Sequence, residues 1–306
     1  MKCLFAIVGP TAVGKSTLSI RIAQTFNGEV VNADSRQIYR YMDIGTAKPG
    51  KAEQCAVPHH LLDIINPDES YSVAHYQATA YSVIDRIQDT NKVPVMVGGS
   101  GQYIWSVIEG WQIPQVEPDR AFRDRLQLKA EKSGAYGLYK ELSEIDPAAA
   151  SKIDPNNLRR IIRALEIHHK TGNKPSELQT KRGVGFPVLI IGLTTDRHNL
   201  YTMIDQRTDR MIADGFVDEV KTLLSMGYSA DLPSMSSLGY RQMLMYLHGE
   251  IKLDAAIQKI KFETHRFARG QYAWFHLADN RIKWFTVGDN TENQINYTIE
   301  NFLAAL

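Results

Sequence analysis

Residues 9–17 read Gly9-Pro10-Thr11-Ala12-Val13-Gly14-Lys15-Ser16-Thr17, directly after the apolar run Cys3-Leu4-Phe5-Ala6-Ile7-Val8. A glycine, four free positions and then Gly-Lys-Ser/Thr is the spacing of a phosphate-binding P-loop. A buried strand ends there, a turn wraps an anion, and a helix starts with its free N–H groups aimed at the same point. Gly9 and Gly14 suit torsions that a Cβ disfavours. Lys15 places a point charge against phosphate oxygens, and the Ser16 hydroxyl is placed to hold Mg2+. Leu18, Ile20, Ile22, Ala23 and Phe26 follow with helical spacing, so the helix runs to about Asn27.

Outward from this loop, strand and helix alternate. Glu29–Ala33 reads as a second strand ending at Asp34, Leu61–Ile64 as a third, and Pro94–Val97 as a fourth closing on Gly98-Gly99; Val73–Asp89 is helical with Ser72 as its N-cap. That alternation predicts an α/β fold, a P-loop parallel sheet with helices on both faces. Ligands then belong at the carboxyl ends of the strands, where the P-loop, Asp34-Ser35 and Gly98-Gly99-Ser100 stand.

Beyond Trp111 the texture changes. Pro114 and Pro118 interrupt the chain, and helical periodicity over Asp119–Lys132, Tyr136–Glu144 and Asn157–Thr171 follows without strands between. Residues 113–182 therefore read as an all-helical insertion, with 1–112 and 183–306 as the P-loop core. Strand character returns at Phe186–Leu193. Helices over Arg197–Ala213, Phe216–Met226, Leu238–Leu247 and Leu253–Phe275, a strand Ile282–Val287 and a last helix Thr291–Leu306 follow.

The 306 residues carry a net charge of +1 with 43% hydrophobic and 23% charged residues, an ordinary soluble composition that argues against a general polyanion binder. Cys3 and Cys55, the latter in a polar loop, imply neither disulfides nor zinc, and the nine histidines show no metal-ligand spacing. No apolar run is long enough to span a bilayer and Met1-Lys2 opens straight into a strand, so no membrane association and a cytoplasmic location are expected.

Asp34 has two readings: a carboxylate facing the P-loop as magnesium ligand or proton acceptor, or the N-cap of a helix over Ser35–Tyr41. The apolar strand that usually ends in a magnesium-binding Asp ends here in Gly98-Gly99-Ser100, which counts against an ordinary ATPase. Three basic stretches stand out: Arg120, Arg123, Arg125, Lys129 and Lys132; Arg159, Arg160 and Arg163; and Lys259, Lys261, Arg266 and Arg269 among Phe262, Phe267, Tyr272 and Trp274. Each alone reads as a solvated helix face; together they suggest a path for a phosphate backbone.

Several segments in order carry a resemblance. They are the P-loop, Asn32–Ser35, Tyr39 with Met42-Asp43-Ile44-Gly45-Thr46-Ala47-Lys48-Pro49, Pro58–Asp63, Val97–Ser100, Arg163–Glu166, Gly215–Val220 and Gly239–Gln242. Together they resemble the tRNA isopentenyltransferase family in its bacterial form. The resemblance implies transfer of a dimethylallyl group from dimethylallyl diphosphate to N6 of adenosine 37 in tRNA, with Mg2+ as cofactor. It implies that residues 9–16 bind the leaving diphosphate, where a P-loop ordinarily suggests ATP binding. Asp34 would act as general base, with Ser100 and Arg207 beside it. Asp34, Ser35, Arg36, Gln37, Ser100, Arg123, Arg159, Arg160, Ile161, Ile162, Arg163, Ser236, Ser237, Leu238, Gly239, Tyr240 and Arg241 would contact the tRNA. The helical insertion would close over the anticodon stem-loop, and a monomer is expected. Ser100 stands where threonine is common in the family, Tyr41 where glycine is common, and Gly270 where a basic residue is common. A P-loop kinase with Asp34 as base, and an RNA-binding protein without covalent chemistry, are the alternatives.

Overall fold

The computed structural model describes residues 2–114, 116–178 and 180–306. The chain forms two compact units, one from residues up to 108 together with Gly185–Leu306, the other Glu109–Val184.

The first unit is built on one parallel sheet. Its first half runs β1 (Leu4–Val8), α1 (Lys15–Thr25), β2 (Gly28–Asn32), α2 (Lys51–Ala56), β3 (His59–His60), α3 (Val73–Asp89), β4 (Val93–Val97) and α4 (Gly101–Ile108). The helical unit contributes α5 (Arg120–Ser133), α6 (Ala135–Ile145), α7 (Pro147–Ala150), α8 (Leu158–Thr171) and α9 (Pro175–Leu178). The chain returns through β5 (Val188–Thr194), α10 (Arg197–Ala213), α11 (Phe216–Ser225), α12 (Tyr240–Leu247), α13 (Leu253–Gln271), β6 (Ile282–Thr286) and α14 (Thr291–Ala304).

The six strands lie in the order β3-β2-β4-β1-β5-β6, and every pair is parallel. The chain leaves β1 toward one edge, returns through β4, and then crosses to β5 on the other side. The loops after β1, β2 and β4 therefore lie together where the strand order reverses, the general position for a ligand in such sheets. Every residue of β1 is buried, because both faces of the sheet are covered. Cys3, Phe5 and Ile7 face one side, against Leu18 and Ile22 of α1, Leu200 and Ile204 of α10, and Ile295 and Ile299 of α14. On the other side Tyr76 of α3 is fully buried, donates to the Asn32 carbonyl at 3.0 Å, and stacks on Tyr103 of α4 at 3.7 Å.

Two sequence expectations are corrected here. The third strand is His59–His60, not Leu61–Ile64. Leu61 at φ 64° and Asp63 at φ 54° take left-handed backbone, which no strand tolerates. Their turn is held by tertiary partners: Asn32 Nδ2 donates to the Leu61 carbonyl at 3.0 Å, and Lys48 Nζ reaches Asp63 at 2.5 Å. Likewise Cys55 lies on the short helix α2 rather than in a loop.

The helical unit packs α5, α6 and α8 around Leu126, Leu138, Leu142, Ile161 and Leu165. Its two chain ends pair with each other. The Gln112 amide donates to the Thr180 carbonyl at 2.8 Å and the Arg182 amide to the Gly110 carbonyl at 3.1 Å. This ladder draws Glu109–Gln112 and Thr180–Val184 into the unit, so its edges fall outside the proline-marked break at 113–182.

Candidate active site

The P-loop joins β1 to α1. Gly9 takes φ 137° and Gly14 takes φ 95°; a Cβ on Gly9 would stand 2.3 Å from the Leu193 carbonyl oxygen of β5. Only glycine permits that closeness. Ala12 also holds a left-handed backbone, at φ 68°. Lys15 Nζ donates to the Pro10 carbonyl at 2.6 Å, folding the side chain back over its own loop. Burial pulls its ammonium down to about 7; Asp34 opposes that shift and Arg207 adds to it. Ser16 is exposed, and its hydroxyl has no partner among the described residues.

A cavity of about 580 Å³ opens in the first unit at the carboxyl ends of β1, β2 and β4. Thr11, Asp34, Ser35, Arg36, Ser100 and Arg207 line it, with Ser236, Ser237, Leu238, Gly239 and Tyr240 along another wall. The three strand ends singled out in the sequence thus serve one recess. Of the loop, Thr11 lines this cavity, whereas Lys15 and Ser16 do not.

Asp34 caps no helix, because residues 35–41 form turns and a bridge, not a helix. Its Oδ1 accepts the Arg36 amide at 2.8 Å, and its own amide donates to Asn32 Oδ1 at 3.0 Å. The buried Asn32 in turn receives the Tyr76 hydroxyl on its carbonyl. The carboxylate therefore stands on a rigid base that the sequence reading did not assign. Its charge is felt by both Lys15 and Arg207.

Ser100 Oγ accepts the Ser35 amide at 3.0 Å and donates to Ser35 Oγ at 3.2 Å. Gly98 makes this approach possible: a Cβ there would lie 2.1 Å from the Ala33 carbonyl oxygen. Arg207 of α10 donates from Nη1 to Thr11 Oγ1 at 3.0 Å. Burial pulls its guanidinium below the ordinary arginine value, with Asp34 working against the shift.

Two further residues complete the site, and spacing alone points to neither. Gln271 accepts the Thr11 amide at 2.7 Å and donates to the Gly99 carbonyl at 3.0 Å. Glu219 of α11 accepts three consecutive amides, Asp43, Ile44 and Gly45, at 2.9, 2.6 and 3.1 Å. It also accepts the Tyr240 hydroxyl at 2.6 Å. One carboxylate thus locks the Met42–Thr46 turn to the cavity wall. Tyr41 before that turn holds φ 66°, the backbone region that favours glycine.

Other sequence candidates have different surroundings. Gln37 is buried and donates to the Thr46 and Ala47 carbonyls at 3.2 and 3.0 Å. Ser237 is buried and donates to the Ser234 carbonyl. Arg241 is exposed and paired with Glu263. In the helical unit Ile161 and Ile162 are core residues. Arg123 and Arg163 both bind Glu166, which is 0% exposed. Arg159 and Arg160 remain exposed. In the first unit, Lys261 pairs with Asp209 while Phe262 and Phe267 are exposed.

The family described as IPP transferase matches residues 37–278, and the one described as isopentenyl transferase matches residues 2–63. A tRNA dimethylallyltransferase of Dehalococcoides mccartyi is 48% identical over 301 residues, 98% of this chain and 93% of the relative. One of a Roseiflexus species is 53% identical over 277 residues, 90% of this chain and 91% of the relative. The solved tRNA isopentenylpyrophosphate transferase of Bacillus halodurans superposes with a TM-score of 0.72 at 40% identity, covering 100% of this chain and 96% of its own. A eukaryotic dimethylallyltransferase acting on tRNA gives a TM-score of 0.85 at 29% identity, covering 100% and 80%. With a strand-end site of this build and similarity along its whole length, the chain belongs to the IPP transferase family.

Proposed function

We propose that this protein prenylates tRNA, moving a dimethylallyl group from dimethylallyl diphosphate to N6 of adenosine 37 and releasing diphosphate. The observation that carries this reading is the convergence of Thr11, Asp34, Ser100 and Arg207 on one cavity. An anion cradle and a proton acceptor share a single recess, as substitution at an allylic carbon by a weak amine requires.

The exocyclic amine is a poor nucleophile because its lone pair is delocalised into the purine. As N6 bonds to the allylic carbon, the carbon–oxygen bond to diphosphate breaks with its electron pair, and the N6 proton passes to Asp34. Charge developing on the departing diphosphate meets the loop amides, Lys15 and Arg207. Ser100 positions Ser35 beside the base-binding wall. The target adenine must leave its stack to reach this depth, which a single-stranded loop permits at low cost. The free hydroxyl of Ser16 suits Mg2+, which takes one or two protein oxygens and fills its shell with phosphate oxygens and water. A magnesium ion there supplies charge neutralisation of the diphosphate. The exposed Arg159 and Arg160 supply positive charge for the RNA backbone.

The test pairs two incubations with Mg2+: labelled dimethylallyl diphosphate with unmodified tRNA, and labelled ATP with small-molecule hydroxyl acceptors. Label in the tRNA anticodon loop is expected from the first alone, and transfer only in the second overturns the proposal. Asp34→Ala is expected to remove most turnover while inorganic diphosphate still binds. Loss of diphosphate binding with unchanged turnover would refute the role of Asp34.

A further inference from the structure

We propose that Gln271 closes the P-loop cradle at the length of two phosphates and so makes the site select diphosphates over triphosphates. The inference rests on the diphosphate reading given above.

Gln271 is 4% exposed and stands where α13 ends, inside the cavity. Its amide spans two loops. The oxygen accepts the Thr11 amide at 2.7 Å, and the nitrogen donates to the Gly99 carbonyl at 3.0 Å. A donor on one side and an acceptor on the other fix the amide's sense, since a flipped amide would oppose N–H to N–H and oxygen to oxygen. A Cβ placed on Gly99 would lie 2.2 Å from Gln271 Nε2 and 3.9 Å from Lys15 Nζ, so the amide fills the space over Gly99 that the ammonium also approaches.

In a P-loop that holds a nucleoside triphosphate, the loop amides cradle the inner phosphates and the lysine reaches outward to the terminal one. Here a loop amide, that of Thr11, is already satisfied by protein, and a carboxamide fills the space over Gly99 toward Lys15. A third phosphate has to expel that amide and break both of its hydrogen bonds. The backbone of Gln271 is itself held, because its carbonyl accepts the amides of Trp274 and Phe275 at 3.0 Å each. The Trp274 ring packs against Gly101, where a Cβ would lie 2.3 Å from it. The residue has no room to retreat as a body. Two phosphates need no such displacement, and the amides from Ala12 onward remain available to them.

Calorimetric titration with inorganic diphosphate and with tripolyphosphate, at one Mg2+ concentration, tests this. The wild-type chain is expected to bind diphosphate at least about tenfold more tightly, the scale of two buried hydrogen bonds. Gln271→Ala is expected to bring the ratio close to one, chiefly through tighter tripolyphosphate binding. Equal affinities in the wild type, or an unchanged ratio in folded Gln271→Ala, overturn the proposal. If Gln271→Ala does not fold, Gln271→Asn, shorter by one methylene, is read by the same ratio. A wild-type chain that binds neither anion instead sinks the underlying diphosphate reading, which separates the two failures.

Discussion

Arg207 donates a hydrogen bond to the Thr11 hydroxyl at 3.0 Å, joining α10 to a P-loop that precedes it by 196 residues. The contact fixes a guanidinium at the rim of the loop between β1 and α1. Preorganised charge of this kind acts where negative charge develops, so its loss lowers turnover more than it weakens ground-state binding. Arg207→Ala is expected to lower kcat by roughly 10²–10³ with a smaller change in KM for dimethylallyl diphosphate. Arg207→Lys keeps the charge but loses the planar fork and is expected to recover only part of the rate. Single-turnover transfer to tRNA, with each substrate varied in turn, measures both effects.

Lys15 gives the site a pH dependence whose sign is fixed by its surroundings. Burial pulls its ammonium down to about 7, so above that pH the protein without bound anion holds a neutral amine. A bound polyanion restores the ammonium. Binding therefore takes up a proton between pH 7 and the higher bound-state value, and affinity falls as pH rises through that window. Titration of inorganic diphosphate at pH 8.5 in buffers of different ionisation enthalpy is expected to show greater proton uptake for wild type than for Lys15→Arg. Arginine stays charged throughout, and the ligand's own titration is common to both. Equal uptake by the two proteins would contradict the depressed lysine.

Ser100 bears on how the base wall is built. Its hydroxyl accepts the Ser35 amide, a bond that threonine can also make. Ser100→Thr is expected to stay within a few-fold of wild-type turnover, whereas Ser100→Ala, which strips a half-buried amide of its partner, falls by roughly tenfold. A steady-state comparison of the three proteins, with KM for tRNA resolved from kcat, decides it.

Legibility in the sequence follows range of interaction. The P-loop, β4 and the helix over Arg197–Ala213 are set by local spacing, and their periodicity is visible in the chain. Asp34 was legible as a strand-end carboxylate but not its support, because Asn32 looks like one polar residue in an apolar strand until Tyr76 and Leu61 close around it. Leu61–Ile64 has strand composition, yet a lysine thirteen residues before Leu61 and an asparagine on β2 hold it in left-handed turns. Glu219 carries an ordinary helix-surface signature; only the fold shows its carboxylate facing three successive amides of the Met42–Thr46 turn. Gln271 meets Thr11 across 260 residues, a separation at which no spacing rule operates.

The arginines of the helical unit divide by their partner. Glu166 is fully buried and accepts the Asp119 amide at 2.7 Å, Arg123 through two nitrogens, and Arg163 at 2.6 Å. Burial pushes its carboxyl up, but Arg123, the Asp119 amide and Arg163 together outweigh that and hold it below the usual 4.5. A depressed carboxylate contributes stability that is complete above its unfolded value and is lost as pH falls through the folded one. Glu166→Gln is expected to destabilise the protein by about 2 kcal/mol at pH 7. The gap to wild type should then narrow as pH falls below about 4.5, where the unfolded carboxyl takes up its proton first, and close only below the lower folded value, where native Glu166 is neutral too. Thermal melts from pH 7 to pH 3 read this, and a gap constant with pH would show that the carboxylate charge does no stabilising. Arg163→Ala is expected to lower melting temperature and tRNA affinity together, since Arg163 is committed to Glu166 and to the Val116 carbonyl. The exposed pair behaves oppositely: Arg159→Ala with Arg160→Ala is expected to leave the melt within a degree or two. The same double variant should weaken tRNA binding and reduce the slope of log affinity against log salt by about one to two. Filter binding from 50 to 200 mM salt, on all three variants, separates the structural arginine from those that meet phosphate.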